Sequence, residues 1–192
     1  VQPAQFNDGR GFDPGGNSGS ECNGSLDGND HTVTGLTINR SDNSDVGLFG
    51  VTGNGAIVTD VTFTEIAVTG KNNVGGIVGF NDGTITASST GGKLSGSNQV
   101  GGLVGFNRGT IQRAQTSVDM TALGTGGDDV GGLVGFNIGT IRRAQASGNV
   151  TAIGTRGDDV GGVAGSNVGT LRYATASANV SGTGAVAGVV GS

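Results

Sequence analysis

The chain has 192 residues, of which 42 are glycine, 7 are phenylalanine and none is tryptophan, so a conventional core would have little aromatic volume. The 15 acidic and 10 basic residues give a net charge of −5, which argues against nucleic acid as a partner. Two prolines and the lack of a Gly-X-Y period exclude collagen, and no apolar run approaches the ~18–20 residues of a membrane-inserted helix.

The first 30 residues show no repeat and are rich in Gly, Asn and Asp, which is typical of loops. We predict that residues 1–30 form an N-terminal cap, because the open end of a stacked array is an unpaired sheet edge. The single cysteine, Cys22, can form neither an internal disulfide nor a cysteine-based metal site.

A glycine-rich motif recurs through the rest of the chain, 31–192. It reads V-G-G-L-V-G-F-N at Val100–Asn107 and again at Val130–Asn137. Further copies lie at Val74–Asn81 and Val160–Asn167, with weaker ones at Val46–Gly50 and Val186–Ser192. Residues 100–129 and 130–159 agree at 22 of 30 positions. The last copy stops within the motif, so we expect more repeats or a cap beyond residue 192.

Each copy contains three short apolar or alternating stretches separated by turn residues, which predicts an all-β fold. Three strands and three turns in about 30 residues are typical of a parallel β-helix, here of about six coils and right-handed by the crossover rule. Equivalent residues would stack as ladders, with Ile111 above Ile141 and Asn107 above Asn137. We expect Phe106 and Phe136 to stack in the same way, and Gly132 to adopt a positive φ at a corner.

The V-G-G-L-V-G-x-N-x-G-x-I run at Val100–Ile111 and Val130–Ile141 resembles the GLUG-motif repeat family over about residues 46–192. This resemblance implies an extracellular or cell-surface protein, mostly bacterial and often an adhesin. Some members carry the array beside a zinc peptidase that cleaves immunoglobulin A. The His-Glu-x-x-His motif of that peptidase is not in this sequence, so its activity is not carried over.

Four aspartates recur at one turn, at Asp128, Asp129, Asp158 and Asp159. Stacked one coil apart, they would place four negative charges close together, an arrangement that could bind calcium. Solvated turn aspartates are the alternative and the one we favour, because calcium requires six or more oxygens from converging loops. No catalytic residue and no other cofactor is predicted.

Four arginines form a basic group beside the column of Thr84, Thr110, Thr140 and Thr170; they are Arg113, Arg142, Arg143 and Arg172. They could bind acidic glycans or a partner's carboxylates, or could keep an exposed sheet face soluble. The Thr column also raises the possibility of ice binding. However, the positions two residues further on are Thr86, Gln112, Arg142 and Arg172, so the regular threonine grid of such a surface does not persist.

The sequence therefore predicts a non-catalytic segment of an adhesin that presents a rigid β-helix face to a glycan, a host protein or another cell. An accessory array of a polysaccharide-acting enzyme or peptidase exoprotein is the alternative, and an ice-binding protein is a third.

Overall fold

The structure, a computed structural model, describes residues 7–124, 128–154 and 158–192. Within these ranges the chain forms 23 strands and no helix. The strands are β1 (Ser25–Thr34), β2 (Thr37–Asn39), β3 (Phe49–Thr52), β4 (Ile57–Thr69), β5 (Asn72–Gly75), β6 (Val78–Asn81), β7 (Thr84–Thr86), β8 (Ser89–Gly96), β9 (Asn98–Gly101), β10 (Val104–Asn107), β11 (Thr110–Gln112), β12 (Gln115–Ala122), β13 (Asp129–Gly131), β14 (Val134–Asn137), β15 (Thr140–Arg142), β16 (Gln145–Ser147), β17 (Asn149–Ala152), β18 (Asp159–Gly161), β19 (Ala164–Asn167), β20 (Thr170–Arg172), β21 (Thr175–Ala176), β22 (Asn179–Ser181) and β23 (Ala185–Ala187).

These strands form three parallel sheets. The long sheet has 13 strands and contains two consecutive segments of each coil, such as β11 and β12. The second sheet is β19-β14-β10-β6-β3, and the third is β23-β18-β13-β9-β5. One coil therefore runs from the third sheet through the second sheet to both segments of the long sheet, and then begins the next coil.

The fold is the predicted all-β parallel solenoid, but it has about five turns and not six. The reason is that the motif marks the corner between the third and second sheets, and six such corners enclose five complete coils. The second and third sheets accordingly have five strands each. The strand pairing does not confirm the expected right-handed winding.

Apolar ladders form the core, as the repeats predict. Ile111 pairs in register with Ile85 and Ile141, and all three are fully buried. The corner position between the third and second sheets repeats in the same way, and its residues are Ile77, Leu103, Leu133 and Val163. Because each ladder needs only one aliphatic residue per coil, a slender core forms with few aromatic side chains.

The asparagine ladder is also confirmed. The Nδ2 of Asn81 donates to Oδ1 of Asn107 at 2.8 Å, and Asn107 donates to Asn137 at 2.7 Å. Asn137 donates to Asn167 at 2.6 Å, and Thr52 donates to Asn81 at the N-terminal side at 2.8 Å. Each asparagine Nδ2 also donates to the carbonyl of the glycine two residues on. The side chains thereby continue the hydrogen bonding along the axis at a corner where the chain turns.

Phenylalanines stack beside this ladder. The rings of Phe80 and Phe106 have centroids 4.9 Å apart, and those of Phe106 and Phe136 are 5.1 Å apart. Ser166 takes the next position in register with Phe136, where the predicted column is interrupted.

The motif glycines are required by close backbone approach, and the positive φ expected at Gly132 is wrong. A Cβ at Gly132 would overlap the carbonyl oxygen of Gly162 and lie 2.9 Å from the Cβ of Ala146. At Gly135, a Cβ would lie 2.5 Å from the carbonyl carbon of Gln99 in the third sheet. The second and third sheets meet at an acute corner, so there is no space between their backbones for a side chain.

The N-terminal segment lies along the first edge of the array. Gly15 bridges Phe49 and Cys22 bridges Thr52, both in parallel, so this segment covers the edge strand of the second sheet. Strand β1 already pairs with β4 from Ser25 onward, so the division between 30 and 31 falls inside a strand. The first six residues of the predicted cap lie outside the described part of the chain.

The coil that begins at Val74 and the coil that begins at Val100 differ in length at one corner. Gly96 and Val100 are four positions apart, whereas their paired residues in the next coil, Ala122 and Val130, are eight apart. The four additional residues of the 30-residue coil therefore lie between the long sheet and the third sheet. The registers of all three sheets are unaffected.

Candidate functional site

The long sheet is divided by two lines of residues with left-handed backbone. One line comprises Ala87, Arg113, Arg143 and Tyr173, with φ between 48° and 55°. The second line comprises Glu65, Gly92 and Gly148, with φ of 55°, 145° and 101°. An extended chain changes direction at each such residue, so the strip of sheet between the two lines is concave.

This strip is a shallow trough of about 390 Å³ that runs along the axis of the array. Five neighbouring strands line it, through residues 62–64, 89–91, 115–117, 145–147 and 175–177. We refer to these residues as the trough. It crosses every coil, so a ligand in it would lie parallel to the solenoid axis.

The trough is lined mainly by hydroxyl and amide side chains. Gln115 pairs in register with Gln145, and Ser117 with Ser147. Between these two columns the side chains point inward, as alternation along a strand requires. Thr116 is buried there and donates from its hydroxyl to the carbonyl of Gly132 at 2.7 Å, which connects the floor of the trough to the opposite corner.

The four predicted arginines lie together at one side of the trough, in two adjacent columns. Arg142 pairs in register with Arg172, and the neighbouring column contains Arg113 and Arg143. All four side chains are exposed. Two ion pairs occur among residues 7–124, 128–154 and 158–192, Arg40–Asp13 and Arg108–Asp82, and neither uses these arginines. We call the four arginines the basic strip.

The charge of this surface is opposite to that of the whole chain. The segments 83–92, 109–118, 139–148 and 169–178 contain the four arginines and no aspartate or glutamate, although the chain has a net charge of −5. Acidic residues border the area: Asp60 and Glu65 lie at its N-terminal end, and Asp119 lies beyond the second line of positive φ. The result is a positive area over the last coils of the trough.

The four aspartates do not form one group. Asp128 and Asp158 are fully buried, whereas Asp129 and Asp159 pair in register in the third sheet and are half-buried. Successive residues of an extended chain point to opposite sides, which separates the two pairs. Among the described residues, no three acidic, histidine or cysteine side chains lie together as metal ligands. The two pairs therefore face opposite sides of the strand, although the charge of Asp129 still acts on Asp128, and calcium binding by the four aspartates stays a prediction.

The buried pair nevertheless has unusual electrostatics. Burial, the negative charge of Asp158 and, more weakly, that of Asp129 together raise the pKa of Asp128 from 3.8 to about 6, while the backbone N–H of Gly124 opposes the shift. Neither carboxylate oxygen of Asp128 has a hydrogen-bond partner of good geometry within the described ranges. Burial also raises the pKa of Asp129, where a 3.1 Å hydrogen bond from Gln99 acts in the opposite direction.

The threonine column is in register, since Thr110 pairs with both Thr84 and Thr140. Two residues further along each strand, the structure aligns Thr86, Gln112, Arg142 and Arg172. The threonines therefore lie beside charged side chains on the same exposed face. The trough was not predicted from the sequence. The signal that could have indicated it is the recurrence of polar residues at Gln115 and Ser117 and at the equivalent positions of the next coil, Gln145 and Ser147.

The fold and this surface define the class: a parallel β-solenoid whose longest face is exposed, polar and locally basic. No family model matches the chain. It is 38% identical to halomucin of Haloquadratum walsbyi over 95 residues, which are 48% of this chain and 1% of halomucin. It is 37% identical over 80 residues to a "Putative Gly-rich membrane protein" of Evansella cellulosilytica, covering 40% of this chain and 9% of that protein.

A solved structure has the same fold. The crystal structure of a "putative immunoglobulin A1 protease" from Bacteroides ovatus matches with a TM-score of 0.71 and 19% identity. The match covers 91% of this chain and 57% of that one. In residues 7–124, 128–154 and 158–192, no helical segment has the length and apolar character needed to cross a bilayer.

Proposed function

We propose that this chain is a non-catalytic segment of a cell-surface or secreted adhesin, and that its long sheet is the face that binds a glycan, a host protein or another cell. The observation that carries the proposal is the exposed surface formed by the trough and the basic strip, where polar side chains follow one another from coil to coil and glutamine, serine and arginine repeat between neighbouring coils. Parallel coils hold these groups at a fixed spacing of ~4.8 Å without a ligand present.

The chemistry of this surface favours binding over turnover. Glycoside hydrolysis requires two carboxyl groups at a defined separation, and cleavage of a polysaccharide by elimination requires a general base beside the sugar. The strand segments that form the positive area contain neither aspartate, glutamate nor histidine. Arginine, glutamine and serine side chains donate hydrogen bonds and stabilise anions, but they do not form an acid–base pair.

The relatives support a location at or outside the cell surface, since one is named halomucin and the other a Gly-rich membrane protein. The chain spans only a small part of either, so it would act as one section of a longer polypeptide. The V-G-G-L-V-G-F-N runs at Val100–Asn107 and Val130–Asn137 are the basis for also proposing that it is a GLUG-motif repeat protein.

The alternative is an array that accompanies a polysaccharide-acting or peptidase domain. It gains interest from the solved chain described as an immunoglobulin A1 protease, although the likeness concerns the fold. The two proposals differ in whether any bound glycan or protein is cleaved.

Beads coated with residues 1–192 should retain glycans or host matrix proteins from a panel, and the retained molecules should elute intact. A matched bead coated with the variant Gln115→Ala/Gln145→Ala, which removes two trough amides, should retain less. Cleavage of a retained ligand, or retention of nothing from the panel, would overturn the proposal.

A further inference from the structure

We propose that the trough and the basic strip form a binding site for a linear acidic glycan whose chain lies along the solenoid axis. This inference rests on the proposed function and specifies its ligand class. The basic strip carries an electrostatic cost in the isolated chain. Arg142 and Arg172 are paired in register on neighbouring strands, with Arg113 and Arg143 in the next column, and like charges in such positions repel one another.

Nothing among the described residues neutralises these charges. Both ion pairs within the described ranges use other arginines, and the three strand segments that carry the basic strip, 109–118, 139–148 and 169–178, contain no carboxylate. An anionic ligand would relieve the repulsion, and guanidinium groups bind carboxylates through two parallel hydrogen bonds. The acidic remainder of the chain would repel the same ligand, which restricts it to this surface.

The trough indicates what kind of anion would bind. Its outward-facing columns are Gln115 with Gln145 and Ser117 with Ser147, which provide donors and acceptors suited to sugar hydroxyls. The Ser147 hydroxyl donates to the carbonyl of Thr116 at 2.8 Å and so offers a ligand an acceptor. Its volume of about 390 Å³ is distributed over five strands, so it forms a channel along the axis. Because polar side chains follow one another from coil to coil, and glutamine, serine and arginine repeat in register between neighbouring coils, the complementary ligand is a polymer that also repeats its charges and hydroxyls.

A nucleic acid fits this surface less well. Single-stranded nucleic acid binding relies on aromatic side chains on which bases stack. The one aromatic residue lining the trough is Phe63, which is buried. Tyr173, which continues the line of Arg113 and Arg143, is a single exposed ring and does not form a stack for successive bases. The trough therefore provides hydrogen-bonding groups for sugars and no platform for bases.

The test compares polygalacturonate with the same polymer fully methyl-esterified, which keeps the backbone and removes the charge. Isothermal titration should show binding of polygalacturonate and at least about tenfold weaker binding of the ester, as the loss of charge-assisted contacts requires. Raising the ionic strength from ~0.05 M to ~0.5 M should also weaken binding of the polyanion.

A charge-matched pair of variants locates the site. Arg142→Gln/Arg172→Gln should reduce affinity for polygalacturonate by about tenfold or more, whereas Arg10→Gln/Lys71→Gln, at two exposed positions outside the positive area, should change it less than about twofold. Equal losses of polygalacturonate affinity in the two variants would overturn the inference. An affinity for single-stranded DNA equal to that for polygalacturonate would also overturn it. Retention of neutral glycans or proteins without polygalacturonate binding would overturn it and leave the proposed function standing. Cleavage of polygalacturonate would overturn the non-catalytic function alone.

Discussion

Removing the central asparagine of the ladder should destabilise the array strongly. Asn107 is fully buried; its Oδ1 accepts from Asn81, and its Nδ2 donates to Asn137 and to the carbonyl of Gly109. In Asn107→Ala, the Asn81 amide keeps its bond to Gly83 but loses its second acceptor, and Oδ1 of Asn137 and the carbonyl of Gly109 each lose a donor. Each unsatisfied buried polar group costs about 1–3 kcal/mol, so we expect a loss of about 2–5 kcal/mol in the free energy of unfolding.

The matched control is Asn167→Ala at the last asparagine of the ladder. Asn167 is half-buried, accepts from Asn137 and donates only to Gly169. Its removal takes one of two acceptors from the Asn137 amide, which keeps its bond to Gly139, at a half-buried position where water can substitute. We therefore expect a loss of about 1 kcal/mol.

Urea denaturation followed by far-ultraviolet circular dichroism would measure both losses. Because solenoids can unfold in sections, the transition should also be followed by hydrogen exchange of amides in the central coils. Equal destabilisation by the two substitutions, or a loss below about 0.5 kcal/mol for Asn107→Ala, would refute the view that buried amide pairing stabilises the stack.

Two further predictions concern packing and pH. Gly135→Ala should cost about 2 kcal/mol or more in the free energy of unfolding, since its Cβ would lie 2.5 Å from the carbonyl carbon of Gln99. Gly91→Ala is the control and should be nearly neutral, because the atom nearest to its Cβ, the carbonyl oxygen of Ser117, is 3.4 Å away. The raised pKa of Asp128 means that the folded state binds a proton more tightly than the unfolded state, so its contribution to stability is present below pH 3.8 and is lost as the pH rises through about 6. Asp128→Asn should accordingly increase the free energy of unfolding at about pH 7.5, by about 1 kcal/mol, and should change it less at about pH 4.

Both predictions have clear contrary outcomes. Equal melting temperatures for the two glycine variants would show that the corner between the second and third sheets can open. For the pH dependence, Asp42→Asn serves as the control, because Asp42 is exposed. If it changes the pH profile as much as Asp128→Asn does, burial of Asp128 is not the cause.

The repeated sequence determined the stacking because parallel in-register strands place equivalent residues one above another. Ile111 and Ile141 occupy the same position in gapless 30-residue repeats, so their pairing could be predicted without knowledge of the cross-section. The asparagine ladder followed for the same reason. The number of coils was overestimated because each motif copy marks a corner and not a whole coil. The six copies from Val46–Gly50 to Val186–Ser192 therefore enclose five coils.

The shape of the face was harder to predict. The trough depends on positive φ at Arg113, Arg143 and Tyr173, residue types that carry no turn signal. The role of Gly132 was misassigned because a sequence shows where glycine is needed but not whether conformation or space requires it. The separation of Asp128 from Asp129 depends on the direction of each side chain at the start of a strand.

The corner that follows Ala122 has a consequence for how such a chain can change over generations. Four extra residues are accommodated there while the pairing of Val130 with Val100 is retained. In-frame codon gains at this one location would leave the outward chemistry of every face intact. A lineage could thus diversify the rim of the molecule while its ligand-facing pattern is inherited unaltered.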